Sequence, residues 1–226
     1  MSRRDNVEAR CNGCHLHASL CICPLIPRLR PRTRLTLLVH YREARKPTNT
    51  GQLAARCLER SRVCLVGDRE HPLPAALWGG SELPLLLYPD ADAVPLSNYA
   101  NCKEPVVLIV PDGNWRQAGK MRRRVPGLAG VQCVTLPEAL PTTYRLRAEP
   151  KSGGLATLEA VAHALRILEG EGEGEGEDGE AISSAMLGLF RVMVERTLWL
   201  RGSLPSDQVF GGIPHAALAK DPRGTI

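Results

Sequence analysis

The stretch Pro105–Arg124, PVVLIVPDGNWRQAGKMRRR, constrains the fold most. Val106 to Val110 are consecutive aliphatic residues, most of them β-branched, a run that suits a strand buried on both faces. Pro111-Asp112-Gly113 then forms a turn signal, and a helical run opens near Asn114. A strand of that kind needs helices above and below it, which points to a layered α/β fold. The same geometry holds Asp112 and Trp115 at the carboxyl end of a strand, the edge where open α/β sheets bind ligands. Taken alone, Asp112 also reads as a turn former or helix cap.

Four further segments read as strands: Leu35–Val39, Val63–Val66, Leu83–Tyr88 and Val131–Leu136. Helical segments alternate with them. GQLAARCLERS follows the turn Thr48-Asn49-Thr50-Gly51 and keeps Leu53, Cys57 and Leu58 on one face. Amides at that helix start, around Thr50 and Gly51, suit an anionic or polar ligand. The helix after Asn114 carries Arg116, Lys120 and a terminal Arg122-Arg123-Arg124, which complements the helix dipole. Leu155, Leu158, Ala162, Leu165 and Leu168 recur at helical spacing, with Glu159 early in that helix. This alternation predicts a mostly parallel sheet with flanking helices.

Between Pro141 and Gly154 lies an irregular polar loop with Tyr144, Arg145, Arg147 and Lys151. The chain divides into a cysteine-bearing lead-in (1–27), an α/β domain (28–168), a Glu/Gly-rich flexible linker (169–181), and a last helix and tail (182–226) that pack on the α/β domain, the Gly/Pro-rich end fraying.

Seven of the 24 acidic residues fall between Glu169 and Glu180, a run without Lys or Arg; elsewhere 17 acids face 29 bases, a balance of +12. So basic a body calls for a polyanionic partner, nucleic acid first, against the alternative of a solvated basic surface. Arg28, Arg30, Arg32 and Arg34 alternate along a segment that Pro27 and Pro31 keep extended, so they project to one side. Such a row can meet successive phosphates or serve as a solvated linker. No run of apolar residues is long enough to span a bilayer, and the first residues lack the apolar core of a signal peptide. The expectation is a cytoplasmic protein without a membrane contact. Nothing calls for an obligate protein partner.

Eight cysteines without a secretory signal do not read as a disulfide framework. Cys11, Cys14, Cys21 and Cys23 lie within thirteen residues and can close a tetrahedral structural zinc site, with His15 and His17 as substitute ligands. Redox-active or buried thiols are the alternative.

In order, the cysteine knuckle, HYREARKPTNTG, LLLYPDA, LIVPDGNWRQAGKM and YRLRAEPKSGGLATLEAVAHAL resemble the DTW-domain family, the tRNA-uridine aminocarboxypropyltransferases. The likeness runs from Cys11 to about Leu168. Family members usually show Asp-x-Thr-Trp, where this chain has Asp112-Gly113-Asn114-Trp115. The resemblance implies transfer of the 3-amino-3-carboxypropyl group of S-adenosylmethionine to N3 of a tRNA uridine, releasing 5′-methylthioadenosine. It also implies kinship with the SPOUT class and a cofactor site in a trefoil knot. Asp112 would then be the general base. Leu87, Tyr88, Pro89, Gly113, Trp115, Leu136, Tyr144, Leu155 and Thr157 would wrap the cofactor beside Thr50 and Gly51, with Trp115 either stacking on a ring or supporting the turn. Arg147 is assigned to the cofactor and Arg145 to RNA, though either can serve both. Arg28, Arg30, Arg32, Arg34, Arg42, Lys46, Arg116 and Lys120 are the expected phosphate contacts. Two other readings remain: a methyltransferase using the same cofactor, and a zinc-bearing RNA-binding protein without catalysis.

Overall fold

The aliphatic run Val106–Val110 lies at the centre of the molecule, buried along its whole length. It belongs to β5 (Val106–Asp112), which pairs in parallel with β1 (Arg34–His40) on one side and β3 (Leu83–Leu87) on the other. Beyond β1 lies β2 (Ser61–Val66); beyond β3 lie β6 (Gln132–Thr135) and the two-residue β4 (Val94–Pro95). The order is β2-β1-β5-β3-β6-β4, and every pairing is parallel. The computed structural model describes residues 9–44, 46, 49–68, 70, 72–100, 102–146, 154–170 and 178–219. Among them the sheet is wholly parallel rather than mostly so. β4 has too few residues to leave a pattern in the sequence.

Strand alternation divides the core into two layers. Leu35, Leu37, Val39, Val106, Leu108 and Val110 face α2 (Thr50–Arg56), α4 (Thr157–Glu169) and α5 (Gly179–Leu200). Leu38, Val107 and Ile109 face Met121 of α3 (Trp115–Arg124) and the Val125–Val131 connection. The short α1 (Tyr41–Ala44) follows β1 directly, and α6 (His215–Ala219) closes the described chain.

Several boundaries differ from expectation for identifiable reasons. Helix α2 stops at Arg56, and the chain turns at Cys57 so that Ser61 can open β2. Glu169 is not part of a linker. It ends α4 with a buried carboxylate that accepts from the backbone N–H groups of Arg32 (2.7 Å) and Thr33 (2.9 Å). Asp178 caps α5 through Ala181 N, and Glu180 pairs with Arg166. Gly179 sits where a Cβ would approach the Arg166 carbonyl to 2.7 Å, so only glycine allows the two helices this junction. Residues 171–177 lie outside the described residues. Over 201–219 the tail is packed: Val209 and Ala217 cover Trp199 and Leu20, and Arg196 donates to the carbonyls of Cys21 and Gly212.

Candidate active site at the carboxyl edge of the sheet

Asp112 is the last residue of β5, in register with Val39, so its side chain emerges where β1 and β5 end together. Only 6% of the residue is exposed. Thr157 Oγ1, in the first turn of α4, donates to its Oδ1 at 2.6 Å, and Asn49 Nδ2 donates to its Oδ2 at 2.5 Å. Asn49 also caps α2, its Oδ1 accepting from Gln52 N at 2.8 Å. Gly51 completes the cradle: a Cβ there would stand 2.8 Å from the Asp112 carboxyl carbon. Three segments distant in sequence therefore close on one carboxylate. Gly51 and Thr157 were legible as site residues, whereas Asn49 was not; its only signal was its place in Thr48-Asn49-Thr50-Gly51, and Thr48 lies outside the described residues.

Other loops leave the sheet at the same edge. Leu87 ends β3 and Tyr88 follows it, with Pro89 exposed, and Leu136 follows β6. The Trp115 ring is 43% exposed and meets Tyr88 edge-tilted, 6.4 Å between centroids. Tyr144, expected at the cofactor, turns its ring into the core against Phe190, 5.7 Å away. What that segment presents at the edge is instead Thr142 and Thr143, held by Glu159. The buried Glu159 carboxylate accepts from Thr142 Oγ1 (2.8 Å), Thr143 N (2.7 Å) and Ala156 N (2.9 Å). The early glutamate of α4 thus organises the approach to Thr157 rather than merely countering a dipole. Leu155 is half-buried beside it, and Arg147 lies outside the described residues.

The basic residues separate into two groups. Arg42, Arg116 and Lys120 are exposed on helices that start at the carboxyl edge, and Lys46, on the connection following α1, pairs with Glu43 at 2.7 Å. His40, at the end of β1, lies in their field: burial lowers its pKa first, with Arg42, Lys120 and Lys46 adding to the effect. Arg28, Arg30 and Arg32 are exposed and alternate with half-buried Leu29 and buried Pro31, but they approach the opposite edge of the sheet. Arg34 starts β1, about 17 Å of strand from the Asp112 level. Its guanidinium is committed to Glu82, with Nη2–Oε2 at 2.6 Å and Nε–Oε1 at 2.9 Å. That bidentate partner pulls the Glu82 carboxyl down to about 2. A cavity of about 240 Å³ at this amino edge is lined by Arg32, Arg60 and Lys103. Its buried carboxylate, Glu169, is already taken up by backbone N–H groups, so it is a poor rival to Asp112.

The four cysteines cluster as their spacing predicts, each Sγ within 4.8 Å of the others. Cys11–Cys23 is 3.7 Å, Cys14–Cys21 is 3.9 Å and Cys11–Cys21 is 3.4 Å. His15 adopts a left-handed φ of 59° at the turn, and His17 caps the next turn by accepting from Ser19 N. Amides of Cys14 and Gly13 facing the Cys11 sulfur lower its thiol to about 6. Arg56, the last residue of α2, donates to Cys23 Sγ at 3.5 Å.

Residues 8–198 match the DTW domain. The chain belongs to the DTW-domain family. It is 31% identical over 172 residues to the tRNA-uridine aminocarboxypropyltransferase 2 of Drosophila melanogaster, a match covering 73% of this chain and 68% of that protein. The enzyme of the same name from Macaca fascicularis is 30% identical over 70% of this chain and 56% of its own length. The tRNA-uridine aminocarboxypropyltransferase A of Arabidopsis thaliana is 25% identical over 81% of this chain and 79% of its own length. No solved structure matches this chain. The DTW match takes in the cysteine cluster, the carboxyl-edge cradle and nearly all of α5. In a DTW signature reading Asp-Gly-Asn-Trp, the departure at Asn114 has a plain structural role. Asn114 Oδ1 accepts from Gln117 N at 2.9 Å while Gln117 Oε1 accepts from Asn114 N at 2.7 Å. Asparagine and threonine are both good caps for a helix, so α3 starts correctly with either.

Proposed function

We propose that this chain transfers the 3-amino-3-carboxypropyl group of S-adenosylmethionine to N3 of a tRNA uridine, with Asp112 as general base. Membership of the DTW family supports the reaction class, and one observation carries the assignment of the base: a near-fully buried carboxylate at the carboxyl edge, clamped by Asn49 and Thr157. Uridine N3 bears a proton and attacks poorly until it leaves. Asp112 accepts that proton, the N3–Cγ bond forms, the Cγ–sulfur bond breaks, and the sulfonium's positive charge disappears as neutral 5′-methylthioadenosine departs. Two donors on one carboxylate fix its plane, so the proton acceptor is oriented before the substrate arrives. Transfer of the γ-carbon rather than the methyl then rests on which carbon the cradle turns towards N3.

Leu87, Tyr88, Gly113, Leu136, Leu155 and the start of α2 at Thr50–Gly51 form the proposed S-adenosylmethionine wall. The sheet order, with β5 between β1 and β3 and β6 between β3 and β4, is compatible with the knotted SPOUT-like site that the family resemblance implies. Arg42, Lys46, Arg116 and Lys120 are the proposed phosphate contacts nearest the reacting uridine. Arg28, Arg30 and Arg32 are assigned to more remote phosphates, and Arg34 to holding Glu82.

The cysteine cluster fits a structural zinc. A tetrahedron with Zn–S of ~2.3 Å has sulfur–sulfur edges of ~3.8 Å, close to the 3.7 and 3.9 Å of two pairs, with Cys11–Cys21 shorter at 3.4 Å. Cys11, Cys14, Cys21 and Cys23 would hold it, and Arg56 would offset part of the tetrathiolate charge. No helix among the described residues is long and apolar enough to cross a membrane; the cytoplasm is the proposed compartment.

Incubation with tRNA and S-adenosylmethionine, followed by nucleoside digestion and mass analysis, tests the reading. A uridine enlarged by the aminocarboxypropyl group is expected. A methylated nucleoside with S-adenosylhomocysteine would assign methyl transfer, and tRNA binding without a product would leave an RNA-binding protein.

A further inference from the structure

A second concavity is linked to the Asp112 site through the first turn of α4. It encloses about 260 Å³ between Thr142, Thr143, Arg145, Arg191, Val194 and Glu195. Its floor and the Asp112 clamp hang from the same helix turn. Glu159 holds Thr142 and Thr143 by one carboxylate and Ala156 N by the same group, and the next residue, Thr157, donates to Asp112. The cavity and the Asp112 clamp are thus tied through the first turn of α4.

Two of its lining residues, Arg191 and Glu195, hold an aromatic ring just outside it. Arg191 donates to Glu195 Oε1 at 2.8 Å and lays its guanidinium carbon 4.6 Å from the Phe210 ring centre. Phe210 is 45% exposed, in a chain whose other phenylalanine, Phe190, is fully buried. The ring is not displayed by accident of a loose tail. Phe210 N donates to Glu195 Oε2 at 2.5 Å, and Arg196 grips the Gly212 carbonyl at 3.1 Å just beyond it. Gly211 and Gly212 take left-handed φ values of 70° and 67° to make that turn. Glu195 is occupied by Arg191 and Phe210 N, whereas Arg145 reaches it only at 3.9 Å and is 61% exposed along its side chain. An exposed ring backed by one guanidinium, with a second guanidinium alongside, is the combination that stacks a base and pins its phosphate.

We propose that this cavity binds an RNA nucleotide flanking the target uridine, its base stacked on the Phe210–Arg191 pair and its phosphate held by Arg145. The inference rests on the tRNA-modifying reading above and names the subsite that reading lacks. The test is tRNA affinity of Phe210→Ala, Phe210→Tyr, Arg145→Gln and Lys120→Gln variants across a salt series, with S-adenosylmethionine affinity and thermal midpoint measured on each. Loss of a stacking ring costs about 5- to 150-fold in affinity, so Phe210→Ala should bind tRNA that much more weakly while Phe210→Tyr stays near wild type. Arg145→Gln should shorten the slope of log K against log salt by about one phosphate contact. S-adenosylmethionine affinity should not move, because no part of the cavity belongs to its proposed wall. Wild-type tRNA affinity in both Phe210→Ala and Arg145→Gln, with loss in Lys120→Gln, overturns the subsite and leaves the tRNA reading intact. Failure of the wild-type protein to bind tRNA overturns both.

Discussion

Asn49 joins two tasks that are usually separate. Its oxygen caps α2 and its amide nitrogen holds Asp112, so the helix start and the carboxylate are set by one side chain. Asn49→Ala should destabilise the protein by about 1–2 kcal/mol through the lost cap and also lower kcat, read from chemical denaturation and single-turnover assays. Gly51→Ala separates the tasks: the cap stays, but a Cβ 2.8 Å from the Asp112 carboxyl carbon forces the carboxylate to move. Turnover should fall at least about tenfold, as expected when a preorganised group is displaced, with helix content by circular dichroism unchanged. Asn114→Thr, by contrast, should leave both stability (within about 0.5 kcal/mol) and activity near wild type, because one good cap replaces another. A large loss of activity there would mean that the Asn114 amide touches substrate.

Helix α2 links the cysteine cluster to the site. Its first turn carries Asn49, Thr50 and Gly51, and its last residue, Arg56, touches Cys23. A metal bound by the four thiols should therefore stabilise the whole α2 layer. Chelator treatment or Cys14→Ser should release one zinc per chain, measured by elemental analysis, and lower the melting temperature. At the other end of β1, Glu82 is held to about 2 by Arg34. A carboxyl whose folded pKa lies below its unfolded value adds stability above the unfolded pKa, and that stability drains away as pH falls through the folded value. Melting temperature should thus drop between about pH 4.5 and pH 2, and Glu82→Gln should flatten that part of the curve. These elements were partly visible beforehand. Strands β1, β3 and β5 are built on aliphatic runs, interrupted inside only by Thr36 and Pro84, and α4 has a clear apolar stripe, so their local patterns suffice. The convergence on Asp112 was not visible, because its donors lie 63 and 45 residues away and only the order of the strands brings them near. Glu169 looked like the first residue of a Glu/Gly run, yet its partners are amides some 136 residues earlier.

As a whole the molecule is polar in its chemistry: a carboxyl edge with Asp112, Trp115 and nearby cations, and an amino edge where Arg34 is neutralised and Glu169 is buried. The acidic run masks a body with a balance of +12, so tRNA affinity should fall steeply with added salt, by a slope set by the number of phosphates met. A flat dependence would remove the proposed cationic contacts. The family likeness was legible from motif order; the roles of Tyr144 and Arg34 were not, since a core ring and a structural ion pair look the same in sequence as site residues do.

The proposed reaction depends above all on Asp112 as the proton acceptor. Single-turnover release of 5′-methylthioadenosine from S-adenosylmethionine and saturating tRNA, measured for wild type and Asp112→Asn side by side, tests it most directly. Asparagine keeps the size of the side chain but accepts no proton at that position. Release should fall about a hundredfold or more, with tRNA and S-adenosylmethionine affinities near wild type. Release at the wild-type rate by Asp112→Asn would contradict that role.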